Sequence, residues 1–154
     1  MEQDFYDQLI ERDENVVALH CEDVGAALKQ FSALCRNSGR SIYHWSPGNG
    51  LLSLKATDIS VPGSQKLSDA LRHVEQSMHY GVYVFSETSG HLQHRSVEYL
   101  RKLAASSDGY QKKIILLGKD IRLPGLLTDC VSHVFEQPKQ RIRPRLRDGR
   151  WVVA

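Results

Sequence analysis

Two continuous apolar runs constrain the fold of this chain more than any other feature. Residues 82–85 (Val-Tyr-Val-Phe) and 114–117 (Ile-Ile-Leu-Leu) contain no charged residue. Runs of this length are typical of strands buried on both faces, as in parallel sheets. Amphipathic segments with helical spacing lie between the apolar runs, and they suit right-handed crossovers between parallel strands. The sequence therefore predicts an α/β fold, with a mainly parallel five-stranded sheet and helices on both faces.

The remaining segments continue the same alternation of strand and helix patterns. Further strands are predicted at 16–20, 41–45 and 131–135, with an additional short one at 51–54. Helices are predicted around residues 5–10, 24–38, 67–78 and 95–104. The second of these is the clearest, because its apolar residues recur at i, i+3, i+4 and i+7 until Gly39 ends the pattern. Tyr43 is expected in the core, whereas Trp45 suits either core or surface.

Length and composition indicate one cytoplasmic domain. The 154 residues are 41% hydrophobic and 25% charged, which are ordinary globular values. Residues 1–138 are expected to form a single ATPase-like α/β domain, and 139–154 a basic extension or hairpin. The acidic N-terminus is unlike a secretion signal, and no apolar run reaches bilayer length. Three scattered cysteines favour buried free thiols over a disulfide framework.

The turn after the first strand lacks the features of a phosphate-binding loop. Residues 20–25 read His-Cys-Glu-Asp-Val-Gly, with one glycine and two carboxylates. A P-loop needs several glycines, so that backbone N–H groups can approach a polyphosphate, and a lysine to reach its outer phosphates. Carboxylates at this position repel phosphate. The expectation is a P-loop NTPase-like fold with the P-loop absent and no cofactor.

The strand end at Ser86-Glu87 also lacks ATPase chemistry. ATPases place an Asp for magnesium and a Glu that polarises water at such a position, and here Ser86 stands in place of the Asp. Glu87 then has nothing to activate, so the sequence predicts a protein that is not an enzyme. His91 and His94 could join Glu87 around a metal ion on a helix. Their i, i+3 spacing differs from the usual i, i+4 arrangement, and no metal site is predicted.

Several segments together resemble a known family. They are residues 41–46 (Ser-Ile-Tyr-His-Trp-Ser), 67–71 (Leu-Ser-Asp-Ala-Leu), 81–87 (Gly-Val-Tyr-Val-Phe-Ser-Glu), 113–118 with 121–124, and 134–138. Over roughly residues 15–138 the chain is similar to the N-terminal, ATPase-like region that precedes the motor domain in bacterial and plastid AAA-type ATPases. The resemblance implies a degenerate fold that does not hydrolyse nucleotide. The sequence ends before a motor domain would begin, so a free-standing version would resemble a protein-interaction or regulatory module.

An arginine-rich C-terminal segment is the strongest candidate for contact with a ligand. Its predicted ligand-binding residues are Arg141, Arg143, Arg145, Arg147, Arg150 and Trp151. In an extended strand the first four arginines alternate onto one face, where forked hydrogen bonds suit phosphate or carboxylate. The final residues read as a hairpin around Asp148-Gly149. An equally open interpretation is a solvated edge whose charges prevent aggregation.

These patterns lead to two hypotheses about function. The preferred one is a non-catalytic protein-interaction or regulatory module whose partner is another protein. The alternative is a binder of an anionic ligand, either a nucleotide, a cyclic dinucleotide or a nucleic acid, through the arginine row. Salt dependence separates them, because binding of phosphate through several arginines weakens steeply with salt. Neither hypothesis involves a membrane, and neither specifies an oligomeric state.

Overall fold

The computed structural model describes residues 2–55, 59–77, 80–105, 112–136, 144–147 and 150–153. The helices are α1 (Glu2–Glu11), α2 (Val24–Ser38), α3 (Leu67–Gln76) and α4 (His94–Ala105). The strands of the main sheet are β1 (Val16–His20), β2 (Ile42–Ser46), β3 (Gly50–Ser53), β4 (Gly81–Ser86), β5 (Lys112–Gly118) and β6 (Ser132–Phe135). A short 3-10 helix, Gly125–Leu127, lies between β5 and β6, and a hairpin of β7 (Pro144–Arg147) and β8 (Arg150–Val153) follows.

The main sheet has the strand order β3-β2-β4-β5-β1-β6. All neighbouring pairs are parallel except β2 and β3, which are antiparallel. The predicted α/β class and mainly parallel sheet are confirmed. The sheet has six strands rather than five, because a tight turn at residues 47–49 returns the chain along β2. The two longest central strands, β4 and β5, contain the apolar runs that predicted them.

Helix α2 begins and ends where its sequence predicts. The Asp23 side chain caps its first turn, and Gly39 ends it in the left-handed conformation with φ of 70°. Glycine suits this position because a Cβ is disfavoured at positive φ. Ala27, Phe31 and Leu34 are buried on the face that the i, i+3, i+4 pattern indicated. Helices α1 and α2 therefore cover one face of the sheet, where their buried residues pack with those of β1, β4 and β5.

The opposite face is covered by α3, α4 and the 3-10 helix. Trp45 lies in this second core, fully buried, and its indole N–H donates to the carbonyl of Ser64 at 2.8 Å. A buried indole needs such an acceptor, because an unpaired N–H in an apolar core is costly. The open question about Trp45 is thus answered in favour of the core. Tyr43 is partly buried and stacks on Tyr83, with ring centroids 5.3 Å apart.

The predicted C-terminal hairpin is present in the described backbone. Strands β7 and β8 are antiparallel, and the register pairs Leu146 with Trp151 and Arg147 with Arg150. The Asp148-Gly149 turn itself lies outside the described residues. Among the described helices, none is both long enough and apolar enough to cross a membrane.

Candidate functional site

The carboxyl edge of the parallel sheet is the candidate functional site. In open α/β sheets, ligands bind outside the carboxyl ends of the strands, at the point where successive connections leave on opposite faces. Here the chain leaves β1 for α2 on one face and leaves β5 for the 3-10 helix on the other. Because β1 and β5 are neighbours, the switch point lies between them.

The N-terminus of α2 faces this switch point and carries its own carboxylate. Asp23 Oδ1 accepts a hydrogen bond from the N–H of Ala26 at 3.1 Å. A phosphate bound at a helix N-terminus uses these same free N–H groups and the positive end of the helix dipole. The Asp23 carboxylate takes the place of such a phosphate. The adjacent Glu22 is exposed and adds a second negative charge. The arrangement stabilises α2 and disfavours an anion at its start.

The end of β4 carries a hydrogen-bonded pair that the sequence analysis missed. Ser86 is 3% exposed, and its Oγ lies 2.7 Å from Nε2 of His44 in the neighbouring strand β2. Ser86 also donates to the carbonyl of Trp45 at 3.3 Å. A hydroxyl has one proton to donate, so His44 Nε2–H donates to Ser86 in return. This neutral network occupies the strand end where ATPases hold magnesium.

The surroundings of His44 at this strand end shift its pKa. Burial lowers the pKa of His44, because desolvation disfavours the imidazolium, and the nearby Glu87 carboxylate opposes that shift. His44 therefore favours the neutral form in which it bonds to Ser86. No signal in the sequence points to the pair, since the two residues come from different strands.

Glu87 has an unusual backbone conformation at the centre of the site. Its φ of 54° is the one positive value at a non-glycine position among the described residues. A left-handed conformation costs free energy for a residue with a Cβ, and such residues concentrate at functional sites. The side chain is exposed, whereas Ser86 and Thr88 on either side are buried. The backbone thus presents Glu87 alone at the surface of the strand end.

A second side-chain pair lies where β1 and β6 end. His20 Nε2 is 2.8 Å from His133 Nδ1, and the His20 ring stacks on Phe135 with centroids 4.5 Å apart. Phe135 is 66% exposed, so the stack forms an aromatic surface at the edge of the sheet. No signal in the sequence links these two histidines. Their pairing depends on the β1–β6 register, which one sequence does not reveal.

Cys21 and Cys35 are buried free thiols, as predicted, whereas the free thiol of Cys130 is only partly buried. Burial raises the pKa of Cys21 to about 11, and the carboxylates of Glu136, Asp23 and Glu22 add to the shift. Because the thiolate is the nucleophile, a thiol with this pKa is unreactive at neutral pH. Cys21 therefore contributes packing rather than chemistry to the site.

The metal site considered for Glu87, His91 and His94 has no counterpart in the fold. His91 packs edge-on against Trp45 at 5.9 Å, and His94 Nε2 lies 3.0 Å from a carboxylate oxygen of Glu98. Helix α4 begins only at His94, so His91 and His94 do not share a helical face. Across the described part of the chain, no three His, Cys, Asp or Glu side chains are placed to hold a metal ion.

The predicted arginine row is only partly within the described residues. Arg145 and Arg147 lie in β7, and Arg150 and Trp151 lie in β8. Arg141 and Arg143 lie outside the described residues. The proposed ligand-binding role of these residues stays a prediction.

A cavity of about 600 Å³ lies at the opposite, amino edge of the sheet. Its described lining consists of aromatic and uncharged polar side chains, with one histidine: Ser41, Tyr43, His73, Gln76, Ser77, Tyr80 and Tyr83. A triphosphate site needs Lys, Arg or a run of backbone N–H groups. Among the described lining residues there is no Lys or Arg.

The fold and the strand-end geometry together define a P-loop-like α/β domain of the AAA type. The family model for the SpoVK-like AAA ATPase, N-terminal domain, matches residues 4–135 of this chain. The chain therefore belongs to the family of SpoVK-like AAA ATPase N-terminal domains, and the resemblance seen in the sequence is confirmed. No curated protein matches the chain.

Proposed function

We propose that this domain is a non-catalytic module that binds another protein and regulates it. The observation that carries the proposal is the cap on α2, where Asp23 binds the N–H of Ala26 at the place that a P-loop reserves for phosphate. A nucleotide would have to displace a covalently attached carboxylate and approach Glu22 as well. The domain therefore keeps the architecture of an ATPase and uses its strand ends for something other than phosphoryl transfer.

The end of β4 supports the same conclusion. Magnesium requires hard oxygen ligands such as carboxylates, and the buried position there holds the neutral Ser86–His44 pair. Glu87 is exposed, and among the described residues no three His, Cys, Asp or Glu side chains are grouped to hold a metal ion. Phosphoryl transfer depends on positioning and charge neutralisation, and the site supplies neither.

The same edge offers groups suited to contact with a protein. Exposed side chains there include the aromatic ring of Phe135, 66% exposed, and the carboxylate of Glu87. Leu126, 62% exposed, follows on the 3-10 helix. Apolar residues beside charged ones are the usual components of a protein interface. The matching family is described as the N-terminal domain of an AAA ATPase, so an AAA motor is the first partner to test.

Nucleotide titration tests the non-catalytic half of the proposal. We expect no saturable binding of Mg-ATP or Mg-GTP at millimolar concentration in fluorescence or calorimetric titrations, and no phosphate release. Glu87→Gln is the matched variant, since it removes the exposed carboxylate that directly follows β4. Turnover in the wild type that disappears in Glu87→Gln overturns the proposal.

Interface substitutions test the binding half. With the AAA motor of this family as the probe, we expect Phe135→Ser and Glu87→Lys to weaken association by about tenfold or more, as changes at interface anchors do. Arg72→Ala, on the exposed face of α3, is the control and should leave the affinity unchanged. Equal affinity for all four proteins contradicts a contact at the carboxyl edge.

A second candidate function, binding of an anionic ligand, rests on the hairpin. The register of β7 and β8 brings Arg147 opposite Arg150, with Arg145 two residues before Arg147 in β7. Arginine side chains form forked hydrogen bonds with phosphate. The test is binding of ATP, a cyclic dinucleotide and a short single-stranded DNA at low and high salt. Arg145→Ala/Arg147→Ala should abolish it, and the control Arg36→Ala/Arg95→Ala should not.

A further inference from the structure

The pair formed by His20 and His133 connects the last residue of β1 to the outermost strand of the sheet. The strands pair in parallel, with Ala18 opposite His133 and His20 opposite Phe135. His20 lies two residues after Ala18, so its ring and that of His133 share one side of the sheet. The Nε2–Nδ1 distance of 2.8 Å is that of a direct hydrogen bond.

The surroundings of His20 determine where its proton lies. The N–H of Ile121 points at His20 Nδ1 from 3.4 Å, a long contact in which Nδ1 is the acceptor. The proton of a neutral His20 is therefore on Nε2, which donates to Nδ1 of His133. Both rings are neutral in this arrangement. An added proton must go to one of the two acceptor nitrogens, where it faces another N–H group.

The charged groups around the pair come from each neighbouring element. The loop after β5 contributes Asp120, which forms an ion pair with Arg122 at 3.5 Å. Strand β6 contributes His133 itself, and Cys21 and Glu22 follow His20 in the chain. Glu136 follows β6, and its carboxylate accepts a hydrogen bond from the hydroxyl of Tyr6. Burial and His133 lower the pKa of His20, and Asp120 raises it by less.

His20 also holds the backbone of β6 at the carboxyl end of that strand. The carbonyl of His20 accepts a hydrogen bond from the N–H of Glu136 at 2.9 Å. His20 thus contacts this end through its backbone, its imidazole and its stack on Phe135. β6 has a strand on one side only in the described sheet, so loss of these contacts is not compensated by a second neighbour.

We propose that His20 and His133 form a proton-controlled latch, which holds the carboxyl end of β6 against β1 at neutral pH and releases it when the pair takes up a proton in acid. One added proton removes an acceptor from the His20–His133 pair or from the Ile121–His20 contact, and a second proton places like charges on adjacent rings. Release frees Phe135 from its stack and exposes the edge of β1.

The latch acts on the carboxyl edge that the proposed function assigns to partner binding, and only its effect on a partner rests on that proposal. The latch itself is a property of the isolated chain. Hydrogen exchange without any partner therefore separates failure of the latch from failure of the proposed function.

The test is hydrogen exchange of the Glu136 amide at pH 7.5 and pH 5.0, expressed as protection relative to the unstructured rate at each pH. In the wild type we expect protection to fall about tenfold or more at the lower pH, which corresponds to one proton-linked interaction. The amide of Leu116 in the central strand β5 is the internal control, and its protection should fall less.

Two variants make the result specific. His20→Gln/His133→Asn replaces the pair with an amide donor and a carbonyl acceptor that do not titrate, and its Glu136 amide should show the same protection at both pH values. His133→Phe removes the latch, and its Glu136 amide should be weakly protected at both. The double variant keeps the test decisive if His133→Phe unfolds.

Two outcomes overturn the proposal. One is a pH-dependent loss of protection at Glu136 that is equally large in the double variant. The other is a wild type in which Zn²⁺ or Cu²⁺ at neutral pH raises the protection of Glu136, with no such effect in the double variant. That result would make the pair a metal clasp instead.

Discussion

Nε2 of His44 lies 2.7 Å from Oγ of Ser86, across the boundary between β2 and β4 and at the centre of the carboxyl edge. The contact joins two neighbouring strands through their side chains at the point where their backbone ladder ends. It also keeps a buried serine hydroxyl and a half-buried imidazole satisfied. Its loss should therefore affect both stability and pH dependence.

Replacing Ser86 tests this contact directly. Ser86→Ala leaves His44 Nε2–H and the carbonyl of Trp45 without their partner, and we expect a loss of about 1–2 kcal/mol in the free energy of unfolding. Ser86→Asp should cost more, because it buries a charge. Urea denaturation measures both effects. If Ser86→Asp instead gained stability from millimolar Mg²⁺, the strand end would be a latent metal site.

The pH dependence of stability should report on His44. Burial lowers its pKa in the folded state below the ordinary value near 6.5, so the unfolded chain binds more protons between the two values. The free energy of unfolding then rises with pH across that interval. The contribution of His44 to stability is fully present above about pH 6.5 and is lost as the pH falls through the interval. His44→Gln keeps a donor for Ser86 without titrating, and denaturation curves should show a flatter pH dependence. His73→Gln, an exposed position on α3, should follow the wild type.

Two neighbouring glycines allow backbone strain to be separated from steric clash. Gly48, in the turn between β2 and β3, and Gly50, the first residue of β3, both have positive φ, of 80° and 73°. A Cβ at Gly48 meets nothing within 4 Å, whereas one at Gly50 lies 2.7 Å from Oγ of Ser64. We expect Gly48→Ala to cost about 1 kcal/mol and Gly50→Ala about 1–3 kcal/mol more. Equal losses in chemical denaturation would show that Ser64 moves aside freely.

The hydroxyl of Tyr6 connects helix α1 to the residue that follows β6. It donates to the carboxylate of Glu136, and the Tyr6 ring is 2% exposed. Tyr6→Phe should cost about 2 kcal/mol, since the acceptor is charged. Glu136→Gln weakens the same hydrogen bond, so the costs of the two substitutions should not add fully. A double-mutant cycle by urea denaturation should give a coupling energy of at least about 0.5 kcal/mol. Strict additivity would mean that the two residues do not interact.

Local sequence patterns predicted the strands and helices whose burial follows a simple repeat along the chain. The apolar runs in β4 and β5 and the periodic face of α2 depend only on the chain near each residue. The short strand predicted at 51–54 is present as β3, but its contact with the loop and the burial of Trp45 depend on Ser64, which accepts the indole N–H and also accepts from the N–H of Leu51 at 2.9 Å. That contact comes from a loop that has no periodicity, so no local signal predicts it.

The candidate site shows the same division between local and distant information. The missing P-loop and the substitution of Ser86 for an acidic residue were visible in short segments. The pairs His20–His133 and His44–Ser86 join residues from separate strands, and they exist only in the observed register. Sequence analysis therefore predicted what the edge lacks, whereas the structure was needed to find what occupies it.

The position of β1 has a consequence for synthesis of the protein. Although β1 is the first strand made, its neighbours in the sheet are β5 and β6, where Val16 lies opposite Ile114 and Val17 opposite Ser132. A nascent chain therefore carries an unpaired apolar strand until the last part of the domain leaves the ribosome. Unpaired apolar strands are prone to aggregation. Truncation before β6, or a translational pause in the segment from α4 to β5, should make chaperone binding to residues near the N-terminus more persistent.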